Sequence, residues 1–470
     1  MRIALSLSLS TTLLATLAMS SSAAAQIPPG ESPALGFERT QQFEIEGGGI
    51  SLLDLRKAGL KMFSTPFNKL DGYGDGPVDF VDPTGFGHRP TLQNNGTFLR
   101  VNGLDAQTCM ECHSVGSNAT APFTFAIGGA GGSNNNAIFM PRNIDVSDQL
   151  GVGHASFDGR YINPPFLFGS GGVELLAKEM TQELQTQKAR AAAHPDVVIN
   201  LVARDVHFGT LVYDSKLRDF DYSGVEGVDH DLVVKPFGRK GELSSVRAFD
   251  IDAMQFHFGM QPVEVVGQDV DDDGDGVTNE ILVGELSALH IFNTNLERPT
   301  QDPLNQTAKD GFRDFLDVGC ATCHKPFLNT RGTTLNYTFP EVATDPTQNV
   351  FYASDLSQGP ASFPVNGQGG LQVPLFADLK RHDMGPGLAE DFGNELDSEF
   401  TTARLWGIAD TAPYLHDGRA TTLTEAIMLH GGEAEFARDN FAALPDANKV
   451  QLLTFLRTLR TPVDPASDLL

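Results

Sequence analysis

The sequence predicts a mainly α chain of two helix-wrapped domains with long loops and a small β insertion in the first. Three observations predict it. All four cysteines fall in two CxxCH units, Cys109-Met110-Glu111-Cys112-His113 and Cys320-Ala321-Thr322-Cys323-His324, one in each half of the 470 residues. Apolar stripes at helical spacing flank the second unit and close the chain. A Val-rich stretch of alternating polarity lies between the units. Composition agrees: 40% apolar and 20% charged residues supply material for two cores, and 48 Gly with 27 Pro leave room for many loops.

Taken in order, residues 1–25 carry Arg2, an apolar run from Ile3 to Met19 and the small-residue end Ala23-Ala24-Ala25. That is the pattern of a secretory signal cut after Ala25. The run is short and Ser-rich for an anchor, and no later stretch approaches the roughly 20 apolar residues that span a bilayer. The expected location is the bacterial periplasm. The first domain is expected over 26–285 and the second over 286–470. Asp196 to Val234 supplies two to four strands inserted in the first domain. Asp310 to Val318 puts Phe312, Phe315 and Leu316 on one face of a short helix that delivers Cys320. Asn448 to Leu459 aligns Leu452, Phe455, Leu456 and Leu459 in a closing helix.

The CxxCH units carry the chemistry. Two thiols at this spacing add to the vinyl groups of a porphyrin while the adjacent histidine reaches the iron from the same turn. Two units that use every cysteine of the chain specify two covalently bound c-type haems. Cys109, Cys112, Cys320 and Cys323 are then the attachment sites, and His113 and His324 the proximal ligands. Helices around each unit make two cytochrome c-like domains. Disulfides or a zinc site leave the histidine after each pair unexplained. Sixty acidic against 33 basic residues, a net charge of −27, argue against nucleic acid or an anionic membrane as partner. A small redox protein, cytochrome or cupredoxin, and a small-molecule substrate suit such a surface.

What fills the sixth position of each iron decides between passing electrons and binding peroxide or dioxygen. An internal repeat supplies candidates. The order Gly-Arg, Leu, His-x-Gly occurs as Gly238-Arg239, Leu243, His257-Phe258-Gly259 and again as Gly418-Arg419, Leu423, His430-Gly431-Gly432. On this alignment the first copy carries an insertion of about two helical turns, and His257 and His430 are equivalent. Met384, in Arg381-His382-Asp383-Met384, is the alternative ligand for the second haem.

The run from Tyr414 to Glu435, YLHDGRATTLTEAIMLHGGEAE, together with two CxxCH units, resembles the bacterial di-haem cytochrome c peroxidase superfamily. It is most similar to the branch of di-haem oxidoreductases, also described as thiol oxidoreductases or peroxidases. The resemblance covers about residues 85 to 462 and implies electron transfer between two haems in a peroxidase-like enzyme. In those peroxidases a Met fourteen residues after the His of a His-Asp-Gly ligates the C-terminal iron. Counting from His416 reaches His430, so imidazole stands here for thioether, which lowers that haem's potential. The same resemblance makes His154, shortly before Asn163-Pro164-Pro165, an alternative to His257 at the first iron. An open iron lined by Phe166 and Phe168, as in the rubber-oxygenase relatives, is a third arrangement. Gln261-Pro262-Val263-Glu264 resembles the segment that supplies a distal acid/base, which makes Glu264 a catalytic candidate. His416 is expected to organise the second haem pocket, and Arg419 to pair with a propionate.

Asp269, Asp271, Asp273, Asp275 and Glu280 alternate along a twelve-residue loop with Gly274 at its sixth position, the spacing of an EF-hand calcium loop. The preceding Val263-Glu264-Val265-Val266 reads as extended, so a lone EF-like loop holding Ca2+ at the domain boundary is expected. A non-catalytic electron-transfer cytochrome with two histidines on each iron stays open beside the enzyme.

Overall fold

The computed structural model describes residues 30–74, 106–113, 115, 138–145, 156–391 and 396–469. The signal-like segment and His154 lie outside them. The helices that frame the sites are α1 (Leu52–Ser64), α2 (Ser170–Ala193), α3 (Val246–Phe258), α4 (Val283–Thr294), α5 (Gln306–Asp317), α6 (Leu423–Met428) and α7 (Asp446–Leu456).

Each CxxCH unit follows a helix that crosses a later one, α1 crossing α4, which runs through the expected boundary at 285, and α5 crossing α7. α1 meets α4 at Gly59, where a Cβ would lie 2.3 Å from the Ala288 carbonyl oxygen. α5 meets α7 at Gly311, where a Cβ would lie 1.9 Å from the carbonyl oxygen of Gln451. Only glycine admits such approaches. Phenylalanines fill the space beside each crossing: Phe63 on Phe292 at 5.6 Å, and Phe312 and Phe315 on Phe455 at 5.0 and 5.5 Å. Each such buried ring contributes about 1.5–3 kcal/mol. Asn305 caps α5 by accepting from the Ala308 N–H at 2.9 Å, and Gly319, at φ 98°, turns the chain into Cys320.

The Val-rich stretch forms three antiparallel strands, Ile199–Ala203, Val206–Asp214 and Asp219–Asp221. Their alternate residues Ile199, Leu201 and Ala203 are buried in one core with Leu176, Met180 and Leu184 of α2. Strands are not confined to the first half, as the sequence led us to expect. Thr334–Thr338 pairs with Val350–Asp355, and Arg381–Asp383 with Glu399–Thr401. These runs are too short to show a period and become strands only by finding a partner. Pro33–Leu470 holds together as one compact unit. No helix among the described residues is long and apolar enough to cross a membrane.

Two local expectations need correction. Val263–Val266 is a single helical turn rather than extended chain, because the Pro262 carbonyl accepts from the N–H groups of Val265 and Val266 at 2.9 and 3.2 Å. The internal repeat is real in the backbone but slides by three residues. Phe237 bridges Leu243 and Tyr414 bridges Ala420, each followed by a capping hydroxyl, Ser245 on α3 and Thr422 on α6. Gly238 (φ 77°) then matches Leu415 (φ 71°), and Gly241 (φ 68°) matches Gly418 (φ 71°). From cap to histidine the first copy is longer by four residues, one helical turn instead of two.

Candidate functional site

In the second half, Cys320–Thr322 forms a 3-10 turn that presents His324. The His324 Nδ1–H donates to the Phe376 carbonyl at 3.1 Å. Phe376 and Leu379 hold φ of 53° and 63°, a left-handed backbone that non-glycine residues adopt only when their surroundings enforce it. His430, just past α6, donates its own Nδ1–H to the Ala426 carbonyl at 2.8 Å. With Nδ1 occupied on both rings, Nε2 is the atom each can offer to a metal, and the backbone of Ala403 also reaches the His324 ring.

The two rings face one another with centroids 6.3 Å apart and planes 58° apart. Imidazole nitrogen binds a metal at about 2.0–2.1 Å, so rings at this separation are close enough that His324 and His430 would be able to hold one metal together. Burial pushes His324 down to about 4, and the neighbouring His430 adds to the effect. Burial lowers His430 as well. Neutral imidazole is the form that binds metal. Burial also pushes the Cys320 thiol up to about 12. Met384 lies on the adjoining loop, its carbonyl oxygen 2.7 Å from where a Cβ on Gly431 would stand.

The first half repeats the plan. Cys109–Glu111 is again a 3-10 turn, and the His113 Nδ1–H donates to the Pro165 carbonyl at 2.9 Å. Burial pushes His113 down to about 4, and the charge of His257, in the last turn of α3, acts in the same direction. The structure thus brings His257 to His113. Met254 and Phe258 of α3 share a core with Phe63, Phe67, Phe168 and Cys112, and Phe166 packs against that core. Cys109, Cys112, Cys320 and Cys323 form no disulfide among the described residues.

A short segment joins the sites. The Asn163 N–H donates to the His416 carbonyl at 2.8 Å, and its Nδ2 to the carbonyls of Pro413 and Leu415 at 2.8 and 3.0 Å. Two residues later, Pro165 accepts from His113. His416 stacks on Phe400 at 4.6 Å, with the Lys240 ammonium 3.5 Å from the centre of the same ring. Arg419 is held by Asp417 and by the Gly387 carbonyl at 2.8 Å. Glu264 is ion-paired through both its oxygens to the buried Arg247. Trp406 is core, its ring 6.3 Å from that of Phe363.

In the acidic loop, Asp271, Asp273 and Asp275 bring carboxylate oxygens within 4.8 Å of one another. Gly274 makes the sharp turn at φ 72°. Glu280 is buried beside Gly72, and burial together with Asp273, Asp275 and Asp271 pushes it up to about 9. Its Oε2 accepts from the Gln261 N–H at 2.7 Å. Asp269 is turned toward Asn279, whose Nδ2 it accepts at 2.7 Å. Four carboxylates crowded in this way repel one another, which a hard cation relieves.

Sequence reasoning missed two buried groups. Asp250 of α3 accepts from Asn293 Nδ2 at 2.9 Å, and burial raises it well above the carboxylate range. His382 donates Nε2–H to Asp378 at 2.9 Å and Nδ1–H to Glu433 at 2.8 Å. Its partners lie far along the chain from one another, so no local motif marks them.

Residues 292–459 match the family described as "Di-haem oxidoreductase, putative peroxidase". Among solved structures, a hydrazine synthase chain of Kuenenia stuttgartiensis is 20% identical over 46% of this chain and 62% of its own length, at a TM-score of 0.26. A MauG-like protein associated with microbial copper homeostasis is 17% identical over 48% of this chain and 68% of its own, also at 0.26. No curated protein matches. The matched span takes in the second CxxCH turn, His324 and His430, and through it residues 292–459 are similar to the di-haem oxidoreductases.

Proposed function

We propose that the chain is an exported, periplasmic di-haem c-type oxidoreductase of peroxidase type. Cys109 and Cys112 hold one haem with His113 as proximal ligand, and Cys320 and Cys323 hold the other between His324 and His430. The observation that carries this reading is the pair His324 and His430, whose rings lie 6.3 Å apart with both Nδ1 atoms tied to carbonyls. Bound haem supplies a one-electron redox centre at each site. The chain's residues do the rest. His324 and His430 keep the second site closed and suited to accept electrons from a small redox protein. His113 would hold the first haem, and His257, close by, would control the access of a small oxidant such as peroxide. Two electrons from the partner and two protons then convert one peroxide to two waters. Asn163 and Pro165 support communication, since one short segment grips the 413–416 loop and aims His113. The acidic loop Asp271, Asp273, Asp275 and Glu280 is the proposed Ca2+ site beside α3.

A second reading, an electron carrier with two histidines on each iron, is favoured by the nearness of His257 to His113. One experiment separates them. The protein is expressed with the haem-attachment machinery, and its ferric spectrum is recorded with and without cyanide and Ca2+, beside peroxide turnover with a reduced small cytochrome. The enzyme shows two covalent haems, one of them responding to cyanide, and consumes peroxide. Two haems indifferent to cyanide and no turnover identify the carrier. A colourless exported protein overturns both.

A further inference from the structure

Resting on the ligation proposed above, we infer that His382 is a positioning residue that fixes the spacing of the two axial imidazoles of the second site, His324 and His430. Its ring lies at the meeting point of three elements that make the site. Nε2–H donates to Asp378 Oδ2 at 2.9 Å, Nδ1–H donates to Glu433 Oε2 at 2.8 Å, and Nδ1 is 4.0 Å from the Cys323 sulfur. Both carboxylates are acceptors only, so both ring nitrogens carry protons and each bond is charge-assisted.

The Asp378 arm reaches the proximal side. Asp378 is buried, accepts from the Thr402 hydroxyl at 2.7 Å and the Lys380 N–H at 3.1 Å, and lies two residues after Phe376. The Phe376 carbonyl aims His324, and it does so from a left-handed backbone that something must hold. The Glu433 arm reaches the distal side. Glu433 lies three residues after His430 in the turn Gly432–Ala434, and its Oε1 accepts from the Asp383 N–H at 3.0 Å. Backbone fit seals the contact: a Cβ on Gly432 would stand 2.2 Å from the Asp383 carbonyl oxygen. One imidazolium therefore ties the strap that aims His324 to the turn that follows His430.

The test uses the full holo-protein in three variants, His382→Gln, Glu433→Gln and His430→Ala, with ferric spin state and carbon monoxide binding to the reduced second haem as readouts. Glu433 is half exposed, so its substitution removes no buried packing, and circular dichroism checks that both clamp variants fold. His382→Gln is expected to shift the equilibrium between bound and released His430 by about tenfold or more, seen as high-spin second haem and new carbon monoxide binding. Glu433→Gln moves the same signals less, and His430→Ala moves them completely. If His430→Ala abolishes the low-spin signal while His382→Gln and Glu433→Gln leave it as in the wild type, the clamp is wrong and the ligation stands. If His430→Ala changes nothing, the ligation itself is wrong and the clamp falls with it.

Discussion

The two CxxCH sites are built alike up to the last helix and differ in its length. Both present the histidine from a 3-10 turn, both tie its Nδ1 to a carbonyl, Pro165 or Phe376, and both stand behind a glycine crossing. On the far side, His257 belongs to the last turn of thirteen-residue α3, whereas His430 stands beyond six-residue α6. A helix of six residues has little stability of its own. His430 is therefore placed by its surroundings, and His257 by its helix. One turn more or less of helix decides whether a ligand is carried by regular structure or by side-chain contacts.

Removing each facing histidine is the severest way to break that comparison. His430→Ala is expected to turn the second haem high-spin and to cut peroxide turnover roughly a hundredfold. His257→Ala is expected to change only the first haem and to leave turnover within about tenfold of the wild type. Equal losses from both variants would show that the sites are not specialised. Next in size are the crossings. Gly59→Ala and Gly311→Ala each force two helices apart and should cost about 1–3 kcal/mol, read as a lower melting temperature of the holo-protein. Gly311→Ala should disturb the second haem's spectrum, and Gly59→Ala the first.

The smallest effect depends on pH. Asp250 is raised well above 3.8, burial being the main cause, with Asn293 and Arg247 pulling it down and Glu174 and Glu341 pushing it up. The folded chain thus keeps a proton that the unfolded chain releases once pH exceeds the ordinary range. The contribution of Asp250 to stability therefore falls as pH climbs from 3.8 toward the raised value, at about 1.4 kcal/mol for each unit of displacement. Asp250→Asn removes that slope. Its stability relative to the wild type, measured by chemical denaturation, should grow as pH rises over that window; a constant difference would show that Asp250 is charged in the fold.

Much of this was legible because it rests on local pattern. The CxxCH turns, the helices leading to Cys320 and closing the chain, the strands after Asp196 and the turn at Gly274 each need only neighbours in sequence. The interval from His416 to His430 is local in the same way, since α6 and its cap occupy it. What the sequence hid was either backbone or distant. The carbonyls of Pro165 and Phe376 leave no residue signature. Leu415 takes a left-handed conformation where the first copy uses Gly238, so aligning the repeat on its glycines misplaced it by three residues. His382 depends on Asp378 and Glu433, which only the fold brings together.

The segment Asn163-Pro164-Pro165 has a further consequence. Its two prolines fix their own φ, so the piece is stiffened, with one end gripping the 413–416 loop and the other holding His113. Any rearrangement that deepens one pocket drags on the imidazole of the other. A substitution in the 413–416 loop therefore acts on the carbonyl that orients His113.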